Sequence, residues 1–105
     1  MLTRLVIIFS KSYCPFSKKA KNILLGKYDI EPAPHVVELD IHELGAALQD
    51  QLSTTTGRRT VPNILVNGKS IGGGDDIEEL HESGKLIAKI QSLAGKKVQI
   101  KAIGK

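Results

Sequence analysis

Asn67-Gly68, set between Ile64-Leu65-Val66 and Lys69-Ser70-Ile71, constrains the fold of this chain more than any other feature. The pair suits the two left-handed positions of a type I′ turn, so the flanking runs are predicted to pair as an antiparallel hairpin. The upstream half has a different rhythm. Leu5-Val6-Ile7-Ile8-Phe9 is too short for a helix and rich in β-branched residues, which predicts a buried strand. Pro15 suits the first position of a helix; Phe16, Ala20, Ile23 and Leu24 then share one face, with Gly26 as the stop. Glu31-Pro32-Ala33-Pro34 reads as a turn or extended linker, and Val36-Val37-Glu38-Leu39 as a second strand. Asp40 with Glu43 resembles a capping box, opening a helix through Leu44, Ala47, Leu48 and Leu52 that ends at Gly57. Beyond the hairpin, Asp75 and Asp76 open a helix through Ile77 and Leu80. Ser83-Gly84 interrupts it, and Leu86, Ile87, Ile90 and Leu93 continue the spacing to Gly95.

The predicted order is strand, helix, strand, helix, hairpin, helix. Two strands joined through a helix imply a parallel pair, while the hairpin must be antiparallel. An α/β domain follows, with a four-stranded mixed sheet flanked by helices. A ferredoxin-like sandwich needs a different order of elements. The 105 residues are read as a single domain with a core over about residues 4–94 and a basic tail over 95–105.

Charge narrows the function. The net charge of +4 comes from Lys96, Lys97, Lys101 and Lys105, and the remaining basic and acidic residues balance at 11 each. With a neutral body and few aromatic residues, nucleic-acid binding is not expected. The lysine-rich end reads as a solvated tail, with the weak alternation of Val98, Ile100 and Ile103 over 97–103 as the mark of a short added strand in the alternative. The apolar runs are too short to span a membrane or to form a signal peptide, so no membrane contact is expected. His35, His42 and His81 lack the spacing of a zinc site.

Cys14 is the sole cysteine, which excludes a disulfide framework. It falls where the first strand gives way to the first helix, with Lys11 three residues before it. A helix N-terminus and a nearby cation both favour the thiolate, so Cys14 is the candidate nucleophile. The competing role is that of a small buried hydrophobe.

Three separated motifs resemble the active-site signatures of glutaredoxins: Lys11-Ser12-Tyr13-Cys14-Pro15-Phe16-Ser17, Thr60-Val61-Pro62 and Gly72-Gly73-Gly74-Asp75-Asp76. Each alone is weak; all three, in order on a matching pattern of elements, are specific. The resemblance covers roughly residues 4–94 and lies nearest to fungal secretory-pathway monothiol members. It implies a thioredoxin-like fold and a glutathione-dependent disulfide oxidoreductase that reduces glutathione mixed disulfides through Cys14. Ser17 stands where dithiol relatives carry a second cysteine, and a hydroxyl cannot resolve a disulfide.

The resemblance also implies a glutathione site. Lys11, Gln49 and Arg59 would meet the glycine carboxylate, with Arg58 facing solvent. Thr60, Val61 and Pro62 would present backbone to the cysteinyl part across a cis Val61–Pro62 bond. Gly73, Gly74, Asp75 and Asp76 would hold the γ-glutamyl end at a helix N-terminus. Tyr13 and Phe16 would shield the thiol, although Phe16 also fits the core stripe of its helix. Pro15 and Ser17 are neighbours of the thiol.

The expected partners are glutathione and glutathionylated proteins, with the chain as a monomer. The alternative is a dimer holding a [2Fe–2S] cluster through paired Cys14 thiolates and two glutathiones. Pro15 argues against this, because cluster-binding relatives usually carry Gly or Ser there. The resemblance places the protein in the secretory pathway if a targeting segment has been removed, and otherwise in the cytoplasm.

Overall fold

The structure is a computed structural model describing residues 5–103. A four-stranded sheet runs in the order β3-β1-β4-β5, built from β1 (Val6–Ser10), β3 (His35–Glu38), β4 (Asn63–Val66) and β5 (Lys69–Gly72). β1 pairs parallel with β3 and antiparallel with β4, while β4 and β5 form the expected hairpin. At its tip Asn67 and Gly68 take φ of 52° and 83°, the left-handed pair that this turn requires. The helices are α1 (Pro15–Gly26), α2 (Gly45–Thr56), α3 (Gly74–Glu82) and α4 (Leu86–Ala94). The mixed sheet with flanking helices is the thioredoxin-like arrangement.

The core forms where these layers meet. Val6 and Ile8 of β1, Ile64 and Val66 of β4, Ala20 and Leu24 of α1, and Ile77, Leu86 and Ile90 of α3 and α4 are fully or almost fully buried. Each large aliphatic side chain so buried contributes roughly 1.5–3 kcal/mol relative to exposure. β1 is central because both of its edges are paired. Its C-terminal end therefore delivers Lys11–Cys14 to one edge of the molecule, and α1 leads away from it.

The structure corrects several sequence expectations. β2 (Tyr28–Glu31) precedes the proline-containing segment and pairs antiparallel with β6 (Gln99–Ala102) in a separate two-stranded sheet. The basic segment is thus no simple solvated tail. Val98 is buried, and Lys96, Lys97 and Lys101 point outward from a chain that folds back on the body, while Lys105 lies outside the described residues. Asp40 does not cap α2, whose N-terminal residue Leu44 makes no side-chain cap and is exposed. Phe16 is 50% exposed and lies outside the core. No helix among the described residues is long and apolar enough to cross a membrane.

Candidate active site

Cys14 is the N-cap of α1 and Pro15 its first residue, where the missing N–H removes no helical hydrogen bond. The preceding loop is tied down on both sides. The Cys14 N–H donates to the Lys11 carbonyl at 3.0 Å, and the Lys11 N–H to the Ser17 hydroxyl at 3.2 Å. Ser12 donates its N–H at 3.0 Å, and its hydroxyl as well, to the carboxylate of Asp40, which draws that carboxyl below the usual range. The residue expected to cap a helix instead anchors the thiol loop to the end of β3.

Burial pushes the Cys14 thiol up, but opposing contacts outweigh it. The Ser17 N–H, the Ser17 hydroxyl and the Phe16 N–H stabilise the thiolate, the Lys11 charge adds to them, and the net pKa lies below the ordinary cysteine value. These are the free N–H groups of a helix first turn. Ser17 is fully buried beneath them and has two functions, holding Lys11 and solvating the sulfur. Ser17→Ala is expected to raise the thiol pKa. At about pH 6, iodoacetamide alkylation of Cys14 should then slow by roughly threefold or more, measured by mass shift against time.

Beside the thiol, a cavity of about 360 Å³ is lined by Phe16, Arg58, Val61, Pro62, Gly73, Gly74, Asp75 and Asp76. The Val61–Pro62 bond is cis. Three chain segments approach closely here. A Cβ on Gly73 would stand 2.9 Å from Nη1 of Arg58 and 3.0 Å from the Pro62 carbonyl oxygen, and one on Gly74 would stand 2.7 Å from the Phe16 carbonyl oxygen. Side chains at either position would force the segments apart, so bare glycine keeps the backbone accessible. Asp76 Oδ2 accepts from the Gly73 N–H at 2.9 Å and from Arg58 at 3.2 Å, closing the N-terminus of α3. Asp75 pairs outward with Lys19 at 3.2 Å.

Not every expected residue lines this cavity. Arg59 turns away to pair with Asp50, and the Gln49 amide donates to the Arg59 carbonyl at 2.8 Å. Thr60 presents its hydroxyl to Arg58 at 3.1 Å. Lys11 stays at the thiol loop, where its charge acts on Cys14. Tyr13, the residue before Cys14, is 66% exposed and does not line the cavity. Arg58, expected to face solvent, is instead the guanidinium over the groove. The Thr56 hydroxyl accepts its N–H at 3.1 Å, just after Gly57 ends α2 at φ 77°. That turn, which sequence spacing does not reveal, decides which of the two arginines points inward.

A family profile described as Glutaredoxin matches residues 6–71. The chain belongs to the glutaredoxin family. Among curated relatives, Monothiol glutaredoxin-7 of Saccharomyces cerevisiae is 50% identical over 82 residues, covering 78% of this chain and 40% of the relative. Glutaredoxin-C4 of Arabidopsis thaliana is 47% identical over 92 residues, covering 88% of this chain and 65% of the relative. The glutaredoxin domain thus spans between 40% and 65% of the length of these two relatives. Its fold is similar to the crystal structure of a buckwheat glutaredoxin–glutathione complex, with TM-score 0.72, 35% identity, and coverage of 87% of this chain and 80% of that one. It is equally similar to the holo form of glutaredoxin C1 from Populus tremula × tremuloides, with TM-score 0.73, 38% identity and 88% coverage of each chain. A single cysteine followed by Ser17 fits the monothiol type of glutaredoxin.

Proposed function

We propose that this glutaredoxin is a glutathione-dependent oxidoreductase that reduces glutathione mixed disulfides with one sulfur. The observation that carries the reading is the position of Cys14, an acidified thiol at the N-terminus of α1, whose second residue Phe16 lines the same cavity as Arg58, Val61, Pro62 and the start of α3. The thiolate attacks the glutathione sulfur of a protein–glutathione disulfide. A bond forms between Cys14 Sγ and that sulfur, the old S–S bond breaks, and its electron pair leaves with the protein thiolate, which takes a proton from solvent. The thiolate of a second glutathione attacks the Cys14 adduct, forms oxidised glutathione and restores the Cys14 thiolate. Electrons balance across the two exchanges without a second protein sulfur.

The groove suits the tripeptide part by part. Backbone N–H groups at the start of α3 favour the γ-glutamyl carboxylate, and the carboxylates of Asp75 and Asp76 suit its ammonium. The Val61 backbone suits the cysteinyl unit in the manner of an added strand. Arg58 offers a planar fork to a carboxylate, which the outward-turned Arg59 does not. A [2Fe–2S] cluster takes four ligands and one chain supplies a single thiolate, so the alternative needs two copies and two glutathiones. The side chains of one copy do not suffice for it.

The test is a coupled assay of oxidised-glutathione formation from the cysteine–glutathione mixed disulfide. Turnover should be robust, and Arg58→Ala should raise KM about tenfold with kcat little changed. Arg59→Ala should alter KM by less than about twofold. An inert wild-type protein overturns the reading.

A further inference from the structure

No residue from Lys11 to Phe16 is buried, so the strand-to-helix loop that carries Cys14 takes its place from hydrogen bonds rather than from packing. Its inner side hangs on the Ser17 hydroxyl. Its outer side depends on β3. The parallel pairing of β1 and β3 joins residues 28 apart, from Ile7 with His35 to Ser10 with Glu38. The Leu39 N–H then donates to the Ser10 carbonyl at 2.8 Å, the last backbone bond between these two segments among the described residues. Side chains continue the same register. Ser10 donates its hydroxyl to Glu38, whose other oxygen takes the Lys21 ammonium at 2.6 Å. Two residues on, Ser12 and Asp40 keep the offset of 28, and Asp40 accepts both the Ser12 N–H and its hydroxyl. Asp40 is itself held: it follows the buried Leu39, and the N–H groups of Ile41 and His42 donate to the Glu38 carbonyl at 3.1 and 3.0 Å. The two carboxylates differ in their cations. Glu38 has Lys21, whereas the charge acting on Asp40 is that of Lys11, which also acts on the Cys14 sulfur.

We propose that Asp40 is a positioning residue for the reaction of Cys14: through Ser12 it sets the loop so that the N–H groups opening α1 and the Lys11 charge converge on the sulfur. The inference rests on the oxidoreductase reading and adds a residue to its machinery. Asp40 acts through Ser12 and Lys11 rather than on the reacting atoms. Its grip and its charge pull the thiol in opposite directions. A carboxylate that shares Lys11 with a thiolate disfavours the thiolate, since like charges oppose ionisation. Holding the loop favours it, because helix N–H groups and an ammonium stabilise the anion only at short range. The grip is the larger effect, since hydrogen bonds to an ionised acceptor are strong and the charge of the exposed Asp40 is screened by solvent. Alanine at this position removes both effects. Asparagine removes the charge alone, because its amide oxygen still accepts the Ser12 N–H and its amide nitrogen donates to the Ser12 hydroxyl oxygen. The two variants should therefore move the thiol in opposite senses.

The experiment follows iodoacetamide alkylation of Cys14 against pH in wild type, Asp40→Ala, Asp40→Asn and Ser12→Ala, a readout that needs no glutathione. At about pH 6, Asp40→Ala should react roughly fivefold more slowly than wild type, and Asp40→Asn at least as fast as wild type. Ser12→Ala, which keeps the N–H and loses the hydroxyl, should fall between Asp40→Ala and wild type. Above about pH 9, where an ordinary thiol is ionised, the wild-type and Asp40→Ala rates should converge to within about twofold. At the lower pH, kcat/KM for the cysteine–glutathione mixed disulfide should follow the same order. Asp40 and Ser12 are not buried, so the variants should keep the fold, which superimposable unfolding curves would verify. An Asp40→Ala rate at or above that of wild type in acid, an Asp40→Asn rate as slow as Asp40→Ala, or a slowing that persists undiminished in alkali overturns the inference. A wild type inert toward the mixed disulfide, with the alkylation pattern intact, would instead overturn the oxidoreductase reading.

Discussion

Replacing Cys14 with serine is expected to bring mixed-disulfide turnover to the uncatalysed background, a loss of at least about a thousandfold. The expectation follows from sulfur inventory. Cys14 is the sole cysteine, so no neighbouring thiol can substitute as nucleophile. A serine hydroxyl would stay protonated at neutral pH even with the Ser17 and Phe16 N–H groups and Lys11 around it. The side chain is only half-buried and the substitution is nearly isosteric, so the fold should persist. Unfolding curves that superimpose on wild type would separate lost chemistry from lost structure. Retention of more than about a tenth of the wild-type kcat would place the nucleophile elsewhere. The pH dependence has a defined sign. Because the folded thiol titrates below its ordinary value, wild-type alkylation should rise with pH and level off earlier than for a free cysteine.

Ile64→Ala is expected to cost about 2–5 kcal/mol of stability, the usual range for a buried large-to-small change. Ile64 is fully buried on β4, opposite Ile8 of β1 on one side and Gly72 of β5 on the other. It also follows Pro62 and Asn63 directly, so it anchors the strand that carries the Val61–Pro62 edge of the groove. Asn63 is fixed in turn, accepting from the Ser70 hydroxyl at 2.7 Å and donating to the Thr56 hydroxyl at 3.2 Å. Urea unfolding should show a midpoint lowered by about 2 M with an unchanged slope. Ile41→Ala, at a side chain 72% exposed, should move it negligibly. Equal effects for the two variants would contradict the described core.

What could be read in the sequence depended on how locally each feature is encoded. β1 and the β4–β5 hairpin were legible because an unbroken apolar run and an Asn-Gly turn carry their structure within a few residues. β2 was not, since Tyr28-Asp29-Ile30-Glu31 is a four-residue alternation whose partner, β6, lies near the other end of the chain. Only the tertiary pairing identifies it. Asp40 illustrates a different failure. Its spacing to Glu43 matched a cap, but α2 begins only at Gly45, and the Asp40 carboxylate accepts from Ser12, distant in sequence and near in space. The three motifs of the site were legible because each is a contiguous string. Arg58 and Arg59 were not separable, because adjacent residues differ only in the direction that the backbone after Gly57 gives them.

The pairing of a lone reactive sulfur with a buried hydroxyl at position 17 sets how such a protein would sense its surroundings. Under the proposed chemistry each molecule exchanges one glutathione for one oxidised glutathione, so its loaded fraction follows the simple ratio of the two forms. A protein closing an internal disulfide releases two glutathiones, and its equilibrium shifts with the total pool even when that ratio is constant. Dilution of the cytosol or an organelle would leave this chain's state unchanged, making it a gauge of proportion rather than of amount.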